Sequence, residues 1–181
     1  MPWWGKAVTA MKNTMKKTKK IALAGLLAAL AFGLSYIEFL LPFDAVGIPG
    51  FKLGLANLAV MLALYRLGPG EAAAVSGVRL VLSLLLFGSV TGFLYSVAGA
   101  VLSLAGMILL KKTNRFGVPG VSVAGGVLHN VGQTLCAMAI LGTAGIVSYL
   151  PLLLITGAVT GAVNGGVLFM ILKRIGEKKH E

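Results

Sequence analysis

Apolar residues run along this chain in long blocks, separated by short polar, basic or glycine–proline stretches. A helix that crosses the hydrocarbon of a bilayer needs about 20 such residues, within a range near 17–25. Six blocks meet or approach that length. The first spans Ile21 to Leu41 and is closed by Pro42 and the loop "FDAVGIPG". The second spans Phe51 to Leu67 and ends at "GPGE"; the third spans Ala72 to Phe87. Leu80 to Leu110 is uncharged for 31 residues, too long for one pass. "GSVTG" at 88–92 carries its clearest turn chemistry, so the fourth block starts at Phe93 and ends at Leu110. After the basic loop "KKTNRFG", the fifth spans Val118 to Leu141, and "GTAG" turns the chain into the sixth, Val147 to Leu172. Pro151 falls near the start of that helix, where a missing N–H costs little.

The pattern predicts an all-α, polytopic membrane protein built as a six-helix bundle. A basic segment (1–20) leads into a six-span domain (21–173) and a basic tail (174–181). The second and third blocks are short, and Lys52 sits at the outer end of the second, which suits a tilted or re-entrant segment.

Composition supports this reading. The chain is 57% hydrophobic and 12% charged, against roughly 25% charged residues in soluble proteins. The net charge of +11 would suit nucleic acid, but the cations cap an oily body instead of lining one face. Six of the sixteen precede Ile21 and four follow Leu172. With six spans and the N-terminus inside, all but Lys52 and Arg79 fall at the inner face, as the positive-inside rule requires. The apolar run from Ile21 to Ile37 has 17 residues, longer than a signal-peptide core of roughly 7–15, so it reads as a retained span. Cys136 is the only cysteine, with no partner for a disulfide or metal site. No metal or cofactor signature is present.

Polar residues inside the apolar blocks carry the candidate chemistry, because ionisable groups are costly in a membrane and usually face a cavity or a partner. Gly126, His129, Asn130 and Gln133 recur at i, i+3, i+4 and i+7, one helical face. Arg79 has Ser76 and Ser83 on its own face. Thr156, Thr160 and Asn164 recur every four residues, with Gly157, Gly161 and Gly165 beside them permitting close helix contact. Glu38, Asp44, Lys52 and Asn57 lie toward the outer side. The inferred depths predict an outward-open cavity lined by Lys52, Asn57, Arg79, His129, Asn130 and Gln133, with Asn164 a further candidate. The competing reading makes the hydroxyls and amides interhelical hydrogen bonds, and Glu38 an internal partner of Arg79. In the first block, Ala24 and Ala28 form one small-residue row, and Gly25, Ala29 and Gly33 another. Either packs within the bundle or docks a partner.

"FKLGLANLAVMLALYRLGPGEA", "LLFGSVTGFLYSVAGAVLSLAGM" and "GVSVAGGVLHNVGQ" resemble the bacterial membrane family known as heptaprenyl diphosphate synthase component I, or Gx transporters, over roughly residues 20 to 173. That family is similar to the substrate-binding S components of energy-coupling-factor transporters. The resemblance implies six membrane helices, an outward-facing pocket, a place in the bacterial cytoplasmic membrane, and docking of a coupling subunit through Ala24 and Ala28 beside nucleotide-binding partners. The name also implies prenyl diphosphate synthesis. Magnesium-bound diphosphate needs clustered carboxylates, however, and Asp44 is the only aspartate, with four scattered glutamates. No Walker motif is present. Three functions follow: a small-molecule binding and transport subunit for a polar-headed or isoprenoid-type metabolite, a non-catalytic component assisting prenyl diphosphate synthesis, or a stand-alone carrier in which His129 couples to protons.

Overall fold

The computed structural model describes residues 3–41 and 53–177. These residues form six α-helices, with no strand among them: α1 (Trp3–Leu40), α2 (Leu55–Arg66), α3 (Pro69–Leu86), α4 (Val90–Thr113), α5 (Val118–Leu141) and α6 (Leu150–Glu177). A 3-10 turn at Ala144–Tyr149 leads into α6.

Local chemistry sets the boundaries. The long uncharged run breaks where expected: α3 ends at Leu86, and Ser89 caps α4 by accepting the Gly92 N–H at 3.0 Å. Pro69 and Pro119 stand in the first turns of their helices, where no N–H is needed. Pro151 is the second residue of α6. α1 runs through the basic N-terminal segment from Trp3.

Five helices are long and apolar enough to cross a membrane; α2 is the exception at 12 residues. At 1.5 Å per residue it covers about 18 Å, so the expected second span is only partly helical among the described residues. Burial explains how so short a helix is tolerated. Ala56, Ala59, Val60, Met61, Ala63 and Leu64 are all buried, and none of the strongly exposed large apolar side chains among the described residues lies on α2. Leu85 of α3, Val101 of α4 and Ile155 of α6 are more than 60% exposed, as the lipid-facing side of a span should be. The chain is a multi-pass membrane protein whose shortest helix is sheathed by the others.

The bundle divides into two three-helix halves. α1 packs on α2 and α3, α5 packs extensively on α4 and α6, and the halves meet more sparsely along α3–α4 and α2–α6. Glycines bring the backbones of the second half together. A Cβ on Gly161 would lie 2.7 Å from Ser122 O and 2.8 Å from Val123 Cα, and one on Gly165 would lie 2.7 Å from Pro119 Cα. Where lipid replaces water, close van der Waals packing of this kind drives helix association.

The two small-residue rows of α1 part company. Ala28 is buried in the core, and the half-buried Ala24 packs against it. Gly25 and Ala29 remain exposed. Ala28→Leu is therefore expected to cost about 1–3 kcal/mol through overpacking, read as a lower unfolding midpoint. Ala29→Leu should stay within about 0.5 kcal/mol.

Candidate functional site

The seam between the halves holds two adjoining spaces. The inner hollow, about 60 Å³, takes Asn57 from α2, Arg79 from α3, His129 and Asn130 from α5 and Asn164 from α6. Five of the seven polar residues singled out in the sequence thus line one hollow. Lys52, like Asp44, lies outside the described residues. Gln133 lines neither space: its Cγ would lie 2.9 Å from a Cβ on Gly99, which places it against α4. The i+7 position continues the stripe beyond the hollow, along the α4–α5 contact.

The amides also serve the scaffold. Asn164 Nδ2 donates to Leu53 O at 2.9 Å and Gly54 O at 3.2 Å, tying α6 to the start of α2 across the seam. Asn130 Nδ2 donates to Leu153 O and so ties α5 to α6. The threonines expected to bond between helices turn to their own backbone instead. Thr156 donates to Leu153 O at 3.0 Å, and Thr160 to Thr156 O at 2.9 Å. Only Thr160 of that pair reaches the hollow. His129 has room because Gly99 lacks a side chain; a Cβ there would come within 2.9 Å of His129 Cε1.

Arg79 belongs to both spaces. Its Nη1 donates to Ser35 Oγ at 3.4 Å, a long bond, while Nε is buried with no hydrogen-bond partner among the described residues. The carboxylate expected as its internal partner does act on it electrostatically, and it has a second task. Glu38 Oε1 accepts the Leu55 N–H at 3.1 Å, placing negative charge at the N-terminus of α2, where the helix dipole favours it. Glu38 also borders both spaces.

The second space, about 430 Å³, lies between α1, α3 and α4. Its walls carry Ser35, Ser83, Ser96, Phe39, Phe87 and Phe93. Of these, only Ser83 drew notice in the sequence, as a neighbour of Arg79. Single serines and phenylalanines in apolar helices look like ordinary packing, and "GSVTG" marks where α3 gives way to α4 but not which faces meet. Phe87 is fixed by α1, with ring centroids 5.8 Å from Phe32, 5.6 Å from Tyr36 and 4.8 Å from Phe39. The opposite end of the first half is held by the ion pair of Lys20 and Glu71 at 2.6 Å.

A family model described as heptaprenyl diphosphate synthase component I matches residues 27–171. The chain belongs to that family. The matched region contains every residue of the inner hollow and of the second space. Comparison with curated proteins and with solved structures finds no match. Among the described residues of this component I chain, no group of three or more His, Cys, Asp or Glu side chains could hold a metal ion.

Proposed function

We propose that this chain is a membrane-embedded binding and transport subunit that captures a polar-headed or isoprenoid-type metabolite from the outer side of a bacterial cytoplasmic membrane. The observation that carries this reading is the convergence of Asn57, Arg79, His129, Asn130 and Asn164, from four helices, on one hollow at the seam of two half-bundles. Interhelical bonding alone explains Asn130 and Asn164. It does not explain a guanidinium with a buried, unpartnered nitrogen on the hollow's wall. Both termini face the cytoplasm in this proposal, because the basic ends then obey the positive-inside rule. The seam supplies the opening, since the halves touch each other less than they touch themselves. A coupling subunit docking on α1 would meet Gly25 and Ala29, and nucleotide-binding partners would drive release.

Native mass spectrometry of the detergent-purified protein tests the reading by detecting a retained small molecule. His129→Leu should lower retention by about tenfold or more, the loss expected for a hydrogen bond to a charged or strongly polar group. His129 is a cleaner choice than Asn130, whose amide also holds Leu153 O. Unchanged retention in His129→Leu would remove the inner hollow from the site.

The family description favours a second reading, a non-catalytic component assisting prenyl diphosphate synthesis. Prenyl transfer by a soluble aspartate-rich chain that rises only when this protein is added would support it.

A further inference from the structure

The two spaces at the seam differ in what they can hold. The inner hollow, about 60 Å³, has room for roughly two water molecules at about 30 Å³ each. The α1/α3/α4 chamber, about 430 Å³, falls within the roughly 300–1,000 Å³ of small-molecule sites. Its lining is mixed. Arg79 and Ser83 stand among Leu80 and Leu84 deeper along α3, and Glu38 and Ser89 stand with Phe39 and Phe87 at the helix ends.

Two polar atoms there lack a hydrogen-bond partner while buried: Arg79 Nε and Ser83 Oγ, on residues one turn apart on α3. Leaving a buried donor unpaired costs free energy, and an unpaired cationic donor costs more. Both residues border the chamber, as does the carboxylate-bearing Glu38. A guanidinium and a hydroxyl side by side match the fork geometry of an oxyanion, phosphate or carboxylate. Beyond them, Leu80, Leu84, Phe87 and Phe93 are apolar. α3 and α4 touch sparsely, and Leu85, Leu86 and Val90 at the turn between them are more than 60% exposed. The chamber therefore sits beside a lipid-facing seam.

Deepening the binding-subunit reading on which it rests, we propose that this chamber holds an oxyanion carried on an apolar body. The oxyanion lies between Arg79 and Ser83, and the body lies against Phe87 and Phe93 toward the seam of α3 and α4. The polar end points to the inner hollow, which Arg79 also borders. The hydrocarbon part stays in surroundings like those it leaves in the bilayer, so entry needs no passage of an apolar chain through water.

The test uses the full-length protein in nanodiscs and four probes: decyl phosphate, inorganic phosphate, decanol and decyltrimethylammonium. Binding is read as a concentration-dependent rise in unfolding temperature. Decyl phosphate should bind, and decanol and decyltrimethylammonium should not. Inorganic phosphate should bind at least about tenfold more weakly, since it lacks the body that the aromatic walls hold. Arg79→Gln should weaken decyl phosphate by about tenfold or more. Ser83→Ala removes a hydroxyl that has no partner, so it should weaken the probe severalfold while leaving the ligand-free unfolding temperature unchanged or raised. Phe93→Ala should bring decyl phosphate toward inorganic phosphate. Equal binding of inorganic and decyl phosphate would overturn the apolar compartment, and binding of decyltrimethylammonium would overturn the oxyanion site. Decyl phosphate binding that survives both Ser83→Ala and Phe93→Ala would also overturn the chamber, yet leave a binding subunit standing. If no probe binds and native mass spectrometry finds no retained molecule, the binding reading itself fails.

Discussion

Replacing Gly161 by alanine is expected to destabilise the second half-bundle by about 2 kcal/mol or more. The new Cβ would stand 2.7 Å from Ser122 O and 2.8 Å from Val123 Cα. Both belong to the backbone of α5, which cannot turn aside as a flexible side chain can. The helices must separate, and the separation is shared along the stripe. Gly157 and Gly126 face each other one turn away, and a Cβ on Gly157 would already be 2.8 Å from Gly126 O. The inner hollow borders Gly126, Gly157 and Gly161, so ligand retention should fall with stability. Gly166→Ala is the control, for a Cβ there meets nothing within 4 Å. It should be neutral or gain up to about 1 kcal/mol from helix propensity. Unfolding titrations in mixed micelles give the comparison. Equal midpoints for the two variants would mean that the α5–α6 contact is looser than described.

Asn164→Leu is expected to have the second large effect. Asn164 is buried, and its amide bridges α6 of one half to Leu53 O and Gly54 O of the other. Gly54 O keeps the Asn57 N–H at 2.9 Å after the substitution, whereas Leu53 O loses the donor described for it. Orphaning this part-buried acceptor costs up to about 1–3 kcal/mol. Gly54 adopts φ 69°, a left-handed conformation that suits glycine, so the entry into α2 has little freedom to find another donor. Asn164→Asp should be no milder than Asn164→Leu, because a carboxylate cannot donate to a carbonyl. Unfolding midpoint and native mass spectrometry should fall together in both variants. Loss of stability with full ligand retention would show that Asn164 serves only the scaffold.

Helix count, most boundaries and membrane character were legible in the residues. Blocks of apolar sequence broken by "GPGE", "GSVTG" and "KKTNRFG" have few other ways to satisfy their backbone in a bilayer. The polar stripe of α5 was legible too, because three strong hydrogen-bonding groups within five residues stand out against hydrocarbon. Its end was not: helical spacing gives a shared face but not the point where a cavity stops and a neighbouring helix begins. Gln133 shares a helical face with His129 and yet packs toward Gly99. Ala24 and Ala28 show the same limit. A row of small residues announces a close approach without naming the surface approached, and within this chain Ala28 lies in the core.

By itself the sequence determined that the chain is helical, that it resides in a membrane, and that Arg79 and His129 need company away from lipid. Each of these follows from the transfer cost of a residue or a short run, a local property. The tertiary structure alone decided that α2 is sheathed, that Glu38 serves the α2 amide, and that the bundle parts into two halves with an aromatic-walled chamber between α1, α3 and α4. Those outcomes depend on which helix faces lie against each other, and helices distant in sequence settle that together.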